Sequence, residues 1–200
     1  MRITPSDSWT WSIQSVEGQV YLGINLSLDN GRRFFFRTNY RVEALASFPE
    51  IGEPFCILDG QMLNDFTAGL NAIGVPDVSA VDEVSANMEL SLNAVAGARF
   101  VAPPRKAIMC SFLPYTGKSF QIKRGSVISM CTSKTKEIYD FIVLDDPNTV
   151  KDDVYRVMFC NREFLIDAQH SVQVGAIFKV LREFMCPYRQ VVTDQGRNLA

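Results

Sequence analysis

The chain has 200 residues, 47% hydrophobic and 21% charged, with a formal net charge of −2; folding can bury roughly 70% of the unfolded surface, which excludes a disordered or low-complexity chain. No apolar run approaches the ~20 residues of a membrane span, and the opening MRITPSDSW lacks a signal-peptide core, so a soluble protein not exported by that route is expected. Five dispersed cysteines without a C-x-x-C pair argue against a disulfide framework or a zinc site and suit a reducing cytosol.

The charge is uneven along the chain. Residues 1–100 hold 6 Lys+Arg against 12 Asp+Glu, a net −6, and residues 101–200 hold 14 against 10, a net +4. An acidic partner therefore suits the second half.

Residues 9–16, 19–28 and 32–40 alternate apolar and polar side chains, with Glu17-Gly18 and Asp29-Asn30-Gly31 as turns, which predicts a three-stranded antiparallel meander. Phe34, Phe35 and Phe36 are consecutive, so they cannot share one face of a strand. One side enters the core and the other needs cover. Helices supply that cover on one reading; on the other, Tyr21, Leu26 and Phe35 line an apolar groove for a partner, with Leu26 half-buried at most.

Asp59 can cap a helix whose Met62, Phe66, Leu70 and Ile73 share a face, stopped by Gly74 and Pro76. Ser79 with Asp82 resembles a capping box for a second helix carrying Val81, Val84, Met88, Leu92 and Val95, up to about Phe100. Pro103-Pro104 then breaks the chain and marks a boundary. Beyond it the period becomes two. Residues 107–113, 120–124, 126–132, 137–144, 154–160 and 164–168 read as strands of a compact barrel-like unit. Val174, Ile177, Phe178, Leu181 and Met185 predict a last helix, ended by Pro187. The fold class is therefore α+β: an N-terminal α/β domain over 1–103, with a meander and two or more helices, then a β-barrel-like domain over 104–192 with a C-terminal helix. Residues 193–200 form a frayed tail.

Gly117-Lys118-Ser119 matches the end of a phosphate-binding loop, but Phe112 stands where that loop needs its first glycine and a strand pattern follows where it needs a helix, so a hairpin turn is preferred. His170, the only histidine, lies three residues after Asp167, and Cys160 and Cys186 sit in apolar stretches where buried structural thiols are common. The acidic run Asp145, Asp146, Asn148, Asp152 and Asp153 fits no calcium loop. No cofactor or metal is called for. Arg105, Lys106, Lys118, Lys123, Arg124, Arg162, Lys179 and Arg182 come from several turns and one predicted helix, and a closed barrel could gather them on one face; a scattered solvated surface is the competing reading. A pI of about 5.5 and the lack of an RNP-like stretch argue against nucleic acid.

Met1-Arg2-Ile3, Pro5, Asp7, Trp9 and Trp11 resemble the opening of the ZapC family, the Z-ring-associated protein C of bacterial cell division. Further similarities follow in order: Asn30-Gly31 with Phe34, Phe55-Cys56 leading into Asp59, residues 90–103 (LSLNAVAGARFVAP), and residues 175–188. The resemblance implies an α/β domain and a twisted β-barrel-like domain, each with a pocket. It also implies a non-enzymatic cytoplasmic protein that acts at the mid-cell division site, binds the tubulin-like GTPase FtsZ and promotes lateral bundling of its filaments. Leu26 and the basic residues named above are its candidate contacts, and Tyr21, Leu26 and Phe35 its candidate N-terminal pocket. Ala102 stands where the family is expected to carry lysine, so basic character at the hinge rests on Arg105 and Lys106. A two-domain enzyme or small-ligand binder using one pocket is the alternative.

Overall fold

A computed structural model describes residues 8–27, 31–73, 84–102, 112–161, 163–165 and 171–188. Strands β1 (Thr10–Val16), β2 (Gln19–Ser27) and β3 (Arg33–Arg41) form the expected antiparallel meander. Helices α1 (Ile57–Asn71) and α2 (Ala86–Phe100) pack on one another and, through α2, on β3. Asp59 does work at the start of α1, but from the third helical position: its carboxylate accepts from the Cys56 backbone N–H at 2.9 Å. The Ser79–Asp82 capping box lies outside the described residues. Ser85 instead caps α2, accepting from Met88 N at 3.3 Å.

Alternation decides which side of the meander is buried. Leu22, Ile24 and Leu26 of β2 and Phe36, Thr38 and Tyr40 of β3 enter the core beside Trp9, Trp11, Phe55, Phe66 and Phe100. Leu26 is 0% exposed, which overturns the half-buried position expected for it. Phe35 takes the other side. Gly23 makes room for it, because a Cβ there would stand 2.3 Å from the Phe35 ring, so the missing side chain is the space the ring occupies.

After α2 come β4 (Val127–Cys131), β5 (Ile138–Val143), β6 (Val154–Phe159), β7 (Glu163–Leu165), β8 (Ser171–Gln173), β9 (Ile177–Leu181) and β10 (Cys186–Pro187). Five of them form one antiparallel sheet in the order β10-β4-β5-β6-β9, and β7 pairs with β8 separately. Among the described residues this sheet is open and does not close into a barrel. Residues 120–124 form no strand. The second half of strand 107–113 is represented by one bridge, Phe112 to Thr132, and residues 107–111 lie outside the described set.

The predicted C-terminal helix is also corrected. Residues 174–185 form β9 and a 3₁₀ turn over Arg182–Phe184. The helical spacing was misleading because both faces of this sheet are covered. Phe178 and Val180 join a second core with Phe141, Tyr155, Val157 and Phe159, while Ile177 points to the first core alongside Ile142, Met158 and Cys160. Apolar residues on both sides of a strand imitate a helical stripe. The first core thus draws residues from both sides of the Pro103-Pro104 pair.

Candidate functional site

A cleft of about 570 Å³ opens where β3 meets the β8–β9 connection and the end of α2. Its origin is a bulge. Gly23 faces Arg37 and Tyr21 faces Arg41, so two steps along β2 are matched by four along β3. The Thr38 hydroxyl repairs the interrupted ladder, donating to Leu22 O at 2.7 Å while accepting from Tyr40 N at 3.2 Å. The detour brings two guanidinium groups over one ring: Arg37 lies 5.0 Å and Arg41 5.9 Å from the centre of Tyr21.

The opposite wall is strapped to β3. Asn39 donates from its backbone N to Asn93 Oδ1 at 2.7 Å and from Nδ2 to Val174 O at 3.4 Å, and the Tyr40 hydroxyl donates to Gly175 O at 3.0 Å. Gly175 has φ +86°, so the turn favours glycine, and a Cβ there would stand 2.6 Å from Asn39 Nδ2 and displace that amide from Val174 O. Burial pushes the Tyr40 phenol far up, which keeps it a neutral donor.

Ala44, Val101, Ala102, Gln173, Ala176 and Ile177 complete the lining, which contains no carboxylate. Arg37 and Arg41 are exposed, and no ion pair holds either among the described residues. Two uncompensated cations over an aromatic ring, with amides and apolar residues around them, suit an anionic or carboxylate-bearing group on an extended or aromatic ligand.

Of the residues singled out from sequence, Tyr21 lines this cleft, while Leu26 and Phe35 do not. Lys118 and Lys123 are exposed in the segment that covers the second core, away from the cleft lining. Arg124 reaches Asp146 at 3.4 Å. Arg182 stacks 4.0 Å over Phe120 and donates to its carbonyl at 2.7 Å, so it fastens residues 112–122 to the sheet. Lys179 lies half-buried on β9, opposite Arg156. Arg105, Lys106, Arg162 and His170 lie outside the described residues. Gly117-Lys118-Ser119 precedes no helix.

Sequence reasoning missed Arg37 and Arg41. The signal was the spacing Phe35, Arg37, Asn39, Arg41 on one face of β3, hidden behind the run of phenylalanines.

Among the described residues no group of three or more His, Cys, Asp or Glu is placed to hold a metal, and no helix is long and apolar enough to cross a membrane. No family model matches the chain. It is similar to the cell division protein ZapC of Vibrio cholerae serotype O1, at 27% identity over 183 residues, 92% of this chain and 91% of that protein.

Proposed function

We propose, from the chain's similarity to the cell division protein ZapC, that it belongs with that family as a non-enzymatic accessory of the division machinery that binds FtsZ and promotes lateral association of its filaments. The observation that supports this reading is the arginine cleft, whose Arg37 and Arg41, without an ion-pair partner among the described residues, offer positive charge to an acidic surface or segment. Charge of this kind accelerates encounter and selects the partner. Lys118 and Lys123, exposed outside the cleft, are proposed as further basic contacts, and the site of action as the cytoplasmic face of mid-cell.

The test is low-speed sedimentation of FtsZ polymers formed in GTP. Added wild-type protein is expected to bring them into the pellet. Arg37→Glu with Arg41→Glu is expected to weaken FtsZ binding by about 1–3 kcal/mol, more at low salt than at high. An unchanged FtsZ pellet at stoichiometric wild-type protein would sink the reading. The same lining suits a small anionic ligand, the competing reading, and a metabolite that strongly raises the melting temperature would favour it.

A further inference from the structure

In the order β1-β2-β3 the third strand is an edge, and among the described residues its backbone from Arg33 to Arg37 has β2 as its only backbone partner. Two bonds show which groups are left over. Trp11 donates its N–H to Glu53 O at 2.8 Å, on the side of β1 away from β2, so its register partner Ile24 turns its own N–H and C=O towards β3. Leu22, two residues earlier, accepts from the Thr38 hydroxyl on that same side at 2.7 Å. Phe36 and Phe34, opposite Ile24 and Leu26, therefore carry the ladder to β2, and Arg33, Phe35 and Arg37 point their N–H and C=O groups outward. The bulge begins beyond Arg37, so the register over these residues is regular. The free edge ends at Asn39, whose N–H already goes to Asn93 Oδ1 of α2 at 2.7 Å.

The side chains of these three residues stand on the outer face of the sheet, because Phe36 between them faces the core. Arg33 and Arg37 are exposed and Phe35 is half-buried. Their register neighbours on β2, Ser27, Asn25 and Gly23, carry no charge, and no ion pair holds either arginine among the described residues. An edge with unused backbone groups accepts another strand, and the side chains beside it decide which. A second copy of β3 is disfavoured, since antiparallel pairing about Phe35 sets Arg33 against Arg37. An extended segment with two acids four positions apart and an apolar residue midway instead places a carboxylate beside each guanidinium and lays apolar area on the Phe35 ring. Residues directly opposite in such a pair are about 5.5 Å apart at Cα, close enough for charge-assisted hydrogen bonds between their side chains.

We propose that β3 takes up an extended acidic segment of a partner protein by antiparallel strand addition, the segment pairing with Arg33, Phe35 and Arg37 in the pattern acid-x-apolar-x-acid. Arg37 also lines the cleft, so the partner enters the cleft along the edge of the meander. The identity of that partner rests on the cleft reading; the pairing does not.

The probe is a blocked peptide, Thr-Glu-Thr-Val-Thr-Glu-Thr, titrated into the full chain with the amide NMR spectrum and calorimetry as readouts. It is expected to shift the amides of Arg33, Phe35 and Arg37 and to slow their hydrogen exchange. N-methylation of the two glutamates and the valine removes the N–H groups that face β3 and is expected to weaken binding by at least about tenfold, as three lost backbone bonds require. N-methylation of the last three threonines, whose N–H groups face away, is expected to leave binding unchanged. Arg33→Gln, outside the cleft lining, is expected to weaken the unmethylated probe severalfold. A probe that leaves these amides unmoved, or two methylated forms that bind alike, would overturn strand addition. The cleft reading fails separately: it survives either result if Arg37→Glu with Arg41→Glu loses FtsZ, whereas a chain that pairs with the probe as described and does not bind FtsZ overturns the cleft reading alone.

Discussion

Gly69 of α1 and Gly125 of the turn before β4 meet backbone to backbone: a Cβ on Gly69 would stand 2.1 Å from Gly125 O, and one on Gly125 would stand 2.5 Å from Asp65 O. Gly125 also has φ +78° and donates its N–H to Val143 O at 2.9 Å. The helix therefore seats on the five-stranded sheet only because neither position carries a side chain. Gly69→Ala should destabilise the fold by about 1–3 kcal/mol through overpacking. Gly60, on the same helix, has nothing within 4 Å of a built Cβ, so Gly60→Ala should stabilise by roughly 0.5–1 kcal/mol. Urea unfolding of the two variants checks the pair; equal effects in the same direction would refute the close approach.

Leu26 separates a binding role from a core role. It is buried with Trp9, Leu22, Ile24 and Phe36. Leu26→Ala should cost about 2–5 kcal/mol, and Leu26→Arg should cost more because it adds a buried charge. Lost FtsZ bundling in Leu26→Arg would then report unfolding, which a melting curve and near-ultraviolet circular dichroism would reveal. A folded, fully stable Leu26→Arg protein would refute this placement.

The meander and α1 were legible because each has one dry face, so their apolar residues keep a single period, whereas α2 is buried all round from Leu90 to Gly97 and was legible from its helix-forming composition and apolar spacing. β9 was not, since its two faces serve two cores: Ile177 belongs to the first, and Phe178 and Val180 to the second. The open sheet was read as a barrel for a related reason. Evenly spaced strands give the order of pairing between neighbours but not whether the edges meet, and here β10 and β9 are the edges. The cleft depends on a bulge opposite Leu22 and on a loop some 135 positions away, the separation of Tyr40 from Gly175. Neither leaves a local pattern. Composition did disclose basic residues beyond Pro103, but partners fix their use: Arg124 is engaged by Asp146 and Arg182 by Phe120.

The clamp by which Arg99 joins Glu53, in the loop before α1, to Asp59 in the helix's first turn should be strongly coupled. Asp59 is buried, and its Oδ2 accepts from Trp11 Nε1 at 3.0 Å, from Cys56 N at 2.9 Å and from Arg99, while Oδ1 has no partner among the described residues. Arg99→Met leaves a buried carboxylate without its cation and should cost about 2–4 kcal/mol, the lower part of the buried-pair range because Arg99 is a quarter exposed. Adding Asp59→Asn should recover part of that loss, since the charge goes and an oxygen acceptor stays. A double-mutant cycle measures this; strictly additive effects would mean that the two groups act independently.

Asp140 links stability to pH. Burial raises its carboxyl above the usual aspartate value, and hydrogen bonds with Ser129 and Asn161 offset part of that shift. The Ser129 hydroxyl donates to Oδ1 at 2.7 Å. A folded-state value above the unfolded one means that the native state holds the proton more tightly. The resulting stability is complete below the unfolded value, about 3.9, and is lost as pH rises through the higher folded value. At neutral pH the native state therefore carries a half-buried charge at a cost. Asp140→Asn keeps the shape and the Oδ1 acceptor for Ser129 and removes that charge. Its melting temperature should exceed the wild type's at about pH 7, and the difference should vanish at about pH 3, where Asp140 is protonated in both folded and unfolded states. Thermal melts of the two proteins across this range decide the matter: an advantage that is constant with pH would assign the effect to packing, and a disadvantage at neutral pH would show that the ionised carboxylate is stabilised where it stands.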